Sequence, residues 1–313
     1  MIKWFFMPLV AAFLFTGCNN KINNPKLVVF ISIDQGMPEL LDKYDHLFTG
    51  GYRWLKDNGN SFVNTHHDYG YLVTGPGHQV LSSGRYPSSG GVIGNYWFNR
   101  DIKKSWYCVE DTIAHDVVNG GSGRSYRNVE VTALGDWLKQ SNPKSKVVSI
   151  SGKDRTAILL GGKNPDMALW YKNHGGWTTS TYYAEALPDW VSSFNSKLNV
   201  PSYTDSVWTR LLDESIYTSN TRADNFEGEA DWSNDGVYNP TLPITFIDLG
   251  VKTMLGDFPY IPFGDAAMLR LGTLSAEKLQ LGKDENTDIL FLGLSATDGV
   301  GHAFGPHSHE QLD

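Results

Sequence analysis

Three short apolar runs, each ending in polar residues, constrain this chain more than any other feature. Leu27-Val28-Val29-Phe30-Ile31-Ser32-Ile33 follows Lys26, Val147-Val148-Ser149-Ile150 follows Lys146, and Ile289-Leu290-Phe291-Leu292-Gly293-Leu294 follows Asp288. They are rich in β-branched residues and lack an apolar/polar alternation, so they read as strands buried on both faces, as in a parallel sheet. Segments with helical spacing lie between them, over residues 131–140 and 266–281. Strands alternating with helices predict an α/β fold, a mostly parallel central sheet flanked by helices. From about residue 170 to 260 the pattern changes to dense Trp, Tyr, Asn, Ser and Pro with little sustained period. That stretch reads as a cap insertion of loops and short elements, its aromatics Trp170, Trp177, Tyr182, Tyr183 and Trp190 serving as packing residues. No internal repeat or low-complexity tract is present.

The first residues carry an export signal: Lys3 precedes an apolar run over residues 4–15 that stops at small residues and Cys18. A bilayer span needs about 20 apolar residues, more than this run or any later one offers. Leu14-Phe15-Thr16-Gly17-Cys18 resembles a lipoprotein processing box, in which the cysteine becomes the lipidated first residue. A signal peptide cut elsewhere would export the protein all the same. Residues 1–18 are therefore expected to be a signal peptide with a lipoprotein-like box, 19–25 a tether and 26–313 the folded domain. The protein is expected to be periplasmic or membrane-anchored, with membrane contact only through a lipid anchor at Cys18. Cys108 is the other of the two cysteines. With Cys18 lipidated no intramolecular disulfide forms, and stability must come from the core. About 290 residues at this hydrophobic content suffice for one large α/β domain. A net charge of −8 gives no support for nucleic-acid binding.

In open α/β sheets, ligands bind at the carboxyl ends of the strands. The three runs end in Asp34-Gln35, in Ser151-Gly152-Lys153-Asp154-Arg155, and in Ser295-Ala296-Thr297-Asp298-Gly299-Val300-Gly301-His302. A carboxylate and an imidazole four residues apart, Asp298 and His302, suit zinc or a similar first-row metal. Singly these are weak signals, since an Asp after a strand often caps a turn; together at strand ends they point to a metal site. A fourth segment, Tyr71-Leu72-Val73-Thr74-Gly75-Pro76-Gly77-His78, places Thr74 where it can N-cap a short helix whose free N–H groups favour an anion. Thr74 is either a plain cap or a nucleophile, and the second role needs a metal or base to lower the hydroxyl pKa. Gly90-Gly91-Val92-Ile93-Gly94 lacks dinucleotide-loop spacing and reads as a turn delivering Asn95. The Cys/Ser-x-Pro-x-Arg setting of sulfatases is not found at Thr74. His46, His66, His67, His115 and His174 read as surface or packing residues, His78 as a support for the helix, and His307 and His309 as a polar loop.

In order and combination, Asp34-Gln35, Val73-Thr74-Gly75-Pro76-Gly77-His78, Gly94-Asn95-Tyr96-Trp97, Lys153-Asp154-Arg155 and the 297–306 segment resemble the threonine-nucleophile alkaline phosphatases. These form a branch of the alkaline phosphatase and nucleotide pyrophosphatase superfamily, and the resemblance runs from about Leu27 to the last residue. It implies metal-dependent hydrolysis of small-molecule phosphate monoesters through a covalent phosphothreonine at Thr74, with two zinc ions. Asp34 and Thr74 would hold one zinc, Asp298 and His302 the other. Asn95, Lys153 and Arg155 would contact phosphoryl oxygens. The physical reading agrees, because a doubly charged monoester gains more than a diester from a cationic pair. A phosphodiesterase or nucleotide pyrophosphatase on the same scaffold is the alternative enzyme.

The resemblance breaks at the end of the chain. The adjacent Asp-His pair and later His that complete the family's metal site do not occur before Asp313. The sequence thus reads as a fragment of a longer product with an incomplete sheet. The other reading is a natural truncation, an inactive phosphate- or metal-binding lipoprotein. The segment after Gln35 also departs from the family, without touching an expected ligand.

Overall fold

In the computed structural model, which describes residues 24–233 and 236–313, the three apolar runs become neighbours in one five-stranded sheet. The expected signal peptide and the Cys18 anchor lie outside the described residues. Its strands are β1 (Leu27–Ile33), β2 (Val147–Ser151), β3 (Met167–Lys172), β4 (Gly176–Thr178) and β5 (Asp288–Leu294), in spatial order β1-β5-β2-β3-β4. All neighbours run parallel except β3 and β4, an antiparallel hairpin. Leu27 pairs with Asp288 and Ile33 with Leu294, so β1 and β5 finish level, while Ser151 at the end of β2 pairs with Gly293. Parallel strands in this register deliver Asp34, Lys153 and Ser295 to one end of the sheet.

Four helices matter for that end: α1 (Thr74–Ser83), α2 (Asp154–Gly161), α3 (Pro262–Lys278) and α4 (Ala296–Phe304). Every β2 residue is buried, and its two serines are satisfied: Ser149 Oγ donates to the Ala157 carbonyl (2.6 Å) and Ser151 Oγ to that of Gly293 (2.9 Å). Gly293 allows α2 to approach, since a Cβ there would lie 2.3 Å from Thr156 Cγ2. The larger core joins Ile150, Leu169 and Leu290 to Met268, Leu271 and Phe304, and a second cluster packs Ile158 and Trp170 against Tyr107 and Val109.

The element boundaries differ from the sequence pattern for local reasons. The helix expected over 131–140 spans Leu134–Ser141, because the Asp136 carboxylate accepts the Ala133 N–H (2.9 Å) and fixes the start. The one expected over 266–281 is α3, which begins at Pro262, where a missing N–H costs nothing. It ends at Lys278, before Gln280 turns left-handed (φ 54°). Trp170 and Trp177 lie in β3 and β4, so the sheet reaches past the expected start of the insertion. Between Thr178 and Pro262, among the described residues, come short helices and one two-residue strand pair, Val207–Trp208 with Ile244–Thr245. Among the described residues no helix is long and apolar enough to cross a membrane.

Strand β1 lies at the sheet edge, with Val29 and Ile31 about half exposed. Beside it a groove of about 450 Å³ is walled by Ile33, Leu40, Leu269 and Val300, with Glu310 in its lining. Glu310 is 2% exposed and neither carboxyl oxygen has a hydrogen-bond partner. Burial pushes its pKa up from 4.5 to about 8, and the Asp224 and Glu229 charges add to the effect. The folded state therefore holds this proton more tightly than the unfolded chain does. Its stability contribution is full below 4.5 and is lost as pH rises through about 8. Urea denaturation should show stability falling by a few kcal/mol between about pH 5 and about pH 9. Glu310→Gln should flatten that decline, and an unchanged slope would refute the assignment.

Candidate active site

Asp34 continues the β1 ladder by one bond, its N–H donating to the Leu294 carbonyl (3.1 Å), and the chain then turns through left-handed Gln35 (φ 59°). Lys153 is the extended residue preceding α2, and its side chain is almost fully buried. Its ammonium contacts both the Asp34 and the Asp298 carboxylates. Burial by itself would raise the Asp34 pKa, but the Lys153 charge and hydrogen bond, with help from Arg155, hold the carboxyl below its usual range. Asp298 lies in the first turn of α4 and His302 one turn on, the imidazole Nε2 3.4 Å from Asp298 Oδ1. Asp265 of α3 fixes the start of α4 by accepting the N–H groups of Ser295 and Ala296 (both 2.9 Å). Burial raises the Asp265 pKa to about 6 although both bonds oppose the shift.

Thr74 is the first residue of α1, not its cap; the cap position is Val73. Its hydroxyl is free of a capping role and donates to Asp34 Oδ2 (3.2 Å). The Gly75 N–H donates to Asn95 Oδ1 (2.6 Å), which fixes the amide and leaves its NH₂ as the available donor. A side chain at position 75 would crowd that oxygen (3.0 Å) and Cys108 Sγ (3.3 Å). His78 is buried, with Nδ1 2.8 Å from the Thr74 carbonyl and Nε2 3.0 Å from Ser32 Oγ. A carbonyl only accepts, so Nδ1 carries the proton and Nε2 accepts from Ser32. Burial favours the neutral ring, lowering its pKa. This imidazole straps the first turn of α1 to β1, two residues before Asp34, and supports the helix as the sequence suggested.

Arg155, in the first turn of α2, donates through Nη1 to the Tyr107 hydroxyl (3.3 Å), while its buried Nε has no partner. It lines a chamber of about 340 Å³ with Lys153, Asp298, His302, Trp232 and Tyr260. Asp34, Thr74, Lys153, Asp298 and His302 thus form one connected set. Asn95 joins through Gly75, and Arg155 through the shared chamber. The sequence did not reveal Tyr107, Asp265, Trp232 or Tyr260, whose roles come from packing between distant segments and leave no local pattern. The histidine reading fails at His309, which is no loop residue. It is 2% exposed, opens a short helix and pairs through Nδ1 with Asp224 (3.1 Å).

The donor chemistry suits zinc, with oxygens from Asp34 and Thr74, and an oxygen and a nitrogen from Asp298 and His302. The Lys153 ammonium already sits between the two carboxylates, which shows that they converge around positive charge. The donors come in pairs, however, and among the described residues no group of three or more His, Cys, Asp or Glu is arranged to hold a metal. Catalytic zinc takes about three protein ligands. The 313-residue chain should therefore retain well under one equivalent of zinc after dialysis, as metal analysis would show. Stoichiometric retention would mean that the ligands have been misassigned.

This arrangement is an alkaline-phosphatase-type α/β fold with a charged cluster at the carboxyl ends of its parallel strands. The chain belongs to the Type I phosphodiesterase / nucleotide pyrophosphatase family, which it matches over residues 28–313. It is 36% identical to alkaline phosphatase PafA of Elizabethkingia meningoseptica, over 99% of this chain and 58% of that protein. It is 35% identical to alkaline phosphatase PhoV of Synechococcus elongatus, over 93% of this chain and 53% of that protein. The chain spans about half the length of the curated relatives it matches. The crystal structure of wild-type PafA superimposes with a TM-score of 0.86 at 36% identity, over 92% of this chain and 56% of that one. A PafA variant with a threonine replaced by serine, and an asparagine, a lysine and an arginine replaced by alanine, superimposes with a TM-score of 0.87.

Proposed function

We propose that the protein hydrolyses small-molecule phosphate monoesters with Thr74 as nucleophile, forming a phosphothreonine that water then cleaves. The observation that carries this reading is the meeting of Thr74, Asp34, Lys153 and Asp298 at the ends of three parallel strands. Thr74 Oγ1 donates to the Asp34 carboxylate, which the Lys153 charge keeps ionised, and that bond orients the hydroxyl for attack. Asn95 presents its NH₂ to one phosphoryl oxygen. Arg155, which lines the same chamber, offers its guanidinium to another, and Lys153 supplies a point charge beside them. Two zinc ions, one held by Asp34 and Thr74 and the other by Asp298 and His302, would lower the hydroxyl pKa and neutralise charge on the leaving oxygen. The PafA variant supports the substrate contacts, because its substituted residues are the types of Thr74, Asn95, Lys153 and Arg155 in the same order. Export through the first 18 residues, with a lipid anchor at Cys18 and a periplasmic or membrane-anchored location, belongs to the same proposal. So does a cap insertion within the domain over 26–313.

Thr74→Ala should abolish phosphoryl-enzyme formation, as mass spectrometry after substrate trapping would show. A phosphorylated peptide elsewhere with activity intact would overturn the assignment. The family description favours phosphodiester hydrolysis as a second reading. Paired Lys153→Ala and Arg155→Ala substitutions separate the two. They should reduce hydrolysis of an aryl phosphate at least about a hundredfold more than that of a methyl aryl phosphate diester. Equal losses would assign the pair to positioning or stability.

A further inference from the structure

The proposed monoester preference rests on Lys153 and Arg155, and the structure shows what holds the Arg155 guanidinium. We infer that Tyr107 is a positioning residue for Arg155, and that one hairpin thereby sets the spacing between two of the phosphoryl-oxygen donors. The Tyr107 ring is buried and its hydroxyl donates to Asp154 Oδ1 (2.5 Å). With its proton committed to that carboxylate, the oxygen turns a lone pair to Arg155 Nη1 (3.3 Å). Burial and the Asp154 charge raise the phenol pKa, so the hydroxyl keeps the proton this arrangement needs. Arg124 closes the other side, with Nε 3.3 Å from Asp154 Oδ2 and its guanidinium 5.2 Å from the centre of the Tyr107 ring.

The hairpin geometry extends the argument to Asn95. Tyr107 ends a strand, Lys104–Tyr107, that pairs antiparallel with Tyr96–Asn99, placing Tyr107 opposite Tyr96 with ring centres 4.7 Å apart. The next residue, Cys108, donates its N–H to the Asn95 carbonyl (3.0 Å). Asn95 is thus tied to the same hairpin end that anchors Arg155, and its side chain is tied to Gly75 beside Thr74. Tyr107 occupies Nη1, and the buried Nε of the same guanidinium has no partner of its own.

Tyr107→Phe tests the inference, because it keeps the ring and removes only the oxygen. In the full chain with zinc supplied, KM for an aryl phosphate and the inhibition constant of inorganic phosphate should each rise about tenfold. Turnover of a methyl aryl phosphate diester should change far less, and the substitution should add little in an Arg155→Ala background. Equal losses for both substrates, or an undiminished loss in the Arg155→Ala background, would overturn the role of Tyr107. The underlying reading has its own readout. If Arg155→Ala alone leaves the monoester-to-diester ratio unchanged, the role of Arg155 fails. If that ratio falls with Arg155→Ala but not with Tyr107→Phe, only the positioning role fails.

Discussion

The Lys153 ammonium is wedged between the carboxylates of Asp34 and Asp298, and the ends of β1, β2 and β5 depend on that contact. Three separate chain segments place charges within one small, largely buried volume. Two carboxylates so placed would repel without a cation between them, and a buried ammonium without an anion would carry the full cost of its desolvation. The cluster therefore stands or falls together. It also explains how a charged site can sit on an apolar sheet, since desolvation is offset locally by opposite charge held at hydrogen-bonding distance.

Geometry supplied by the sheet makes the contact possible. The in-register pairing of β1 with β5 ends both strands at one level, and Gly293 lets α2 approach β5 closely enough to bring Lys153 in above them. Asp265 then fixes the first turn of α4, so Asp298 faces the cluster. His78 does the same for α1 through Ser32 and the Thr74 carbonyl. Asp298 and Thr74 are thus each positioned through a group that takes no part in the proposed chemistry.

Outside the sheet, the segment between Thr74 and β2 brings Asn95 and Tyr107 toward the site through a different kind of structure. A two-stranded hairpin carries both Asn95 and Tyr107, and backbone pairing fixes their separation. A strand pair suits this task better than a loop, since cross-strand neighbours keep their spacing when side chains move. The segment after β4 contributes Trp232, Asp257 and Tyr260 to the chamber wall.

The sequence by itself determined the strands and the residues at their ends. Continuous β-branched runs have one stable environment, a sheet covered on both faces, and the carboxyl ends of such strands share one side of it. That made Asp34, Lys153, Arg155, Asp298 and His302 legible, and the Gly-Pro-Gly after Thr74 marked the start of a helix. Tertiary structure alone decided that Thr74 opens α1 without capping it, and that His309 is buried against Asp224. It also decided that Lys153 binds two carboxylates at once, that Tyr107 hydrogen-bonds Asp154 and Arg155, and that Asp265 accepts the N–H groups at the start of α4. The physical reason is range. Strand and helix signals repeat over a few residues, whereas these contacts join groups brought together only when the sheet closes its register and the helices pack on it.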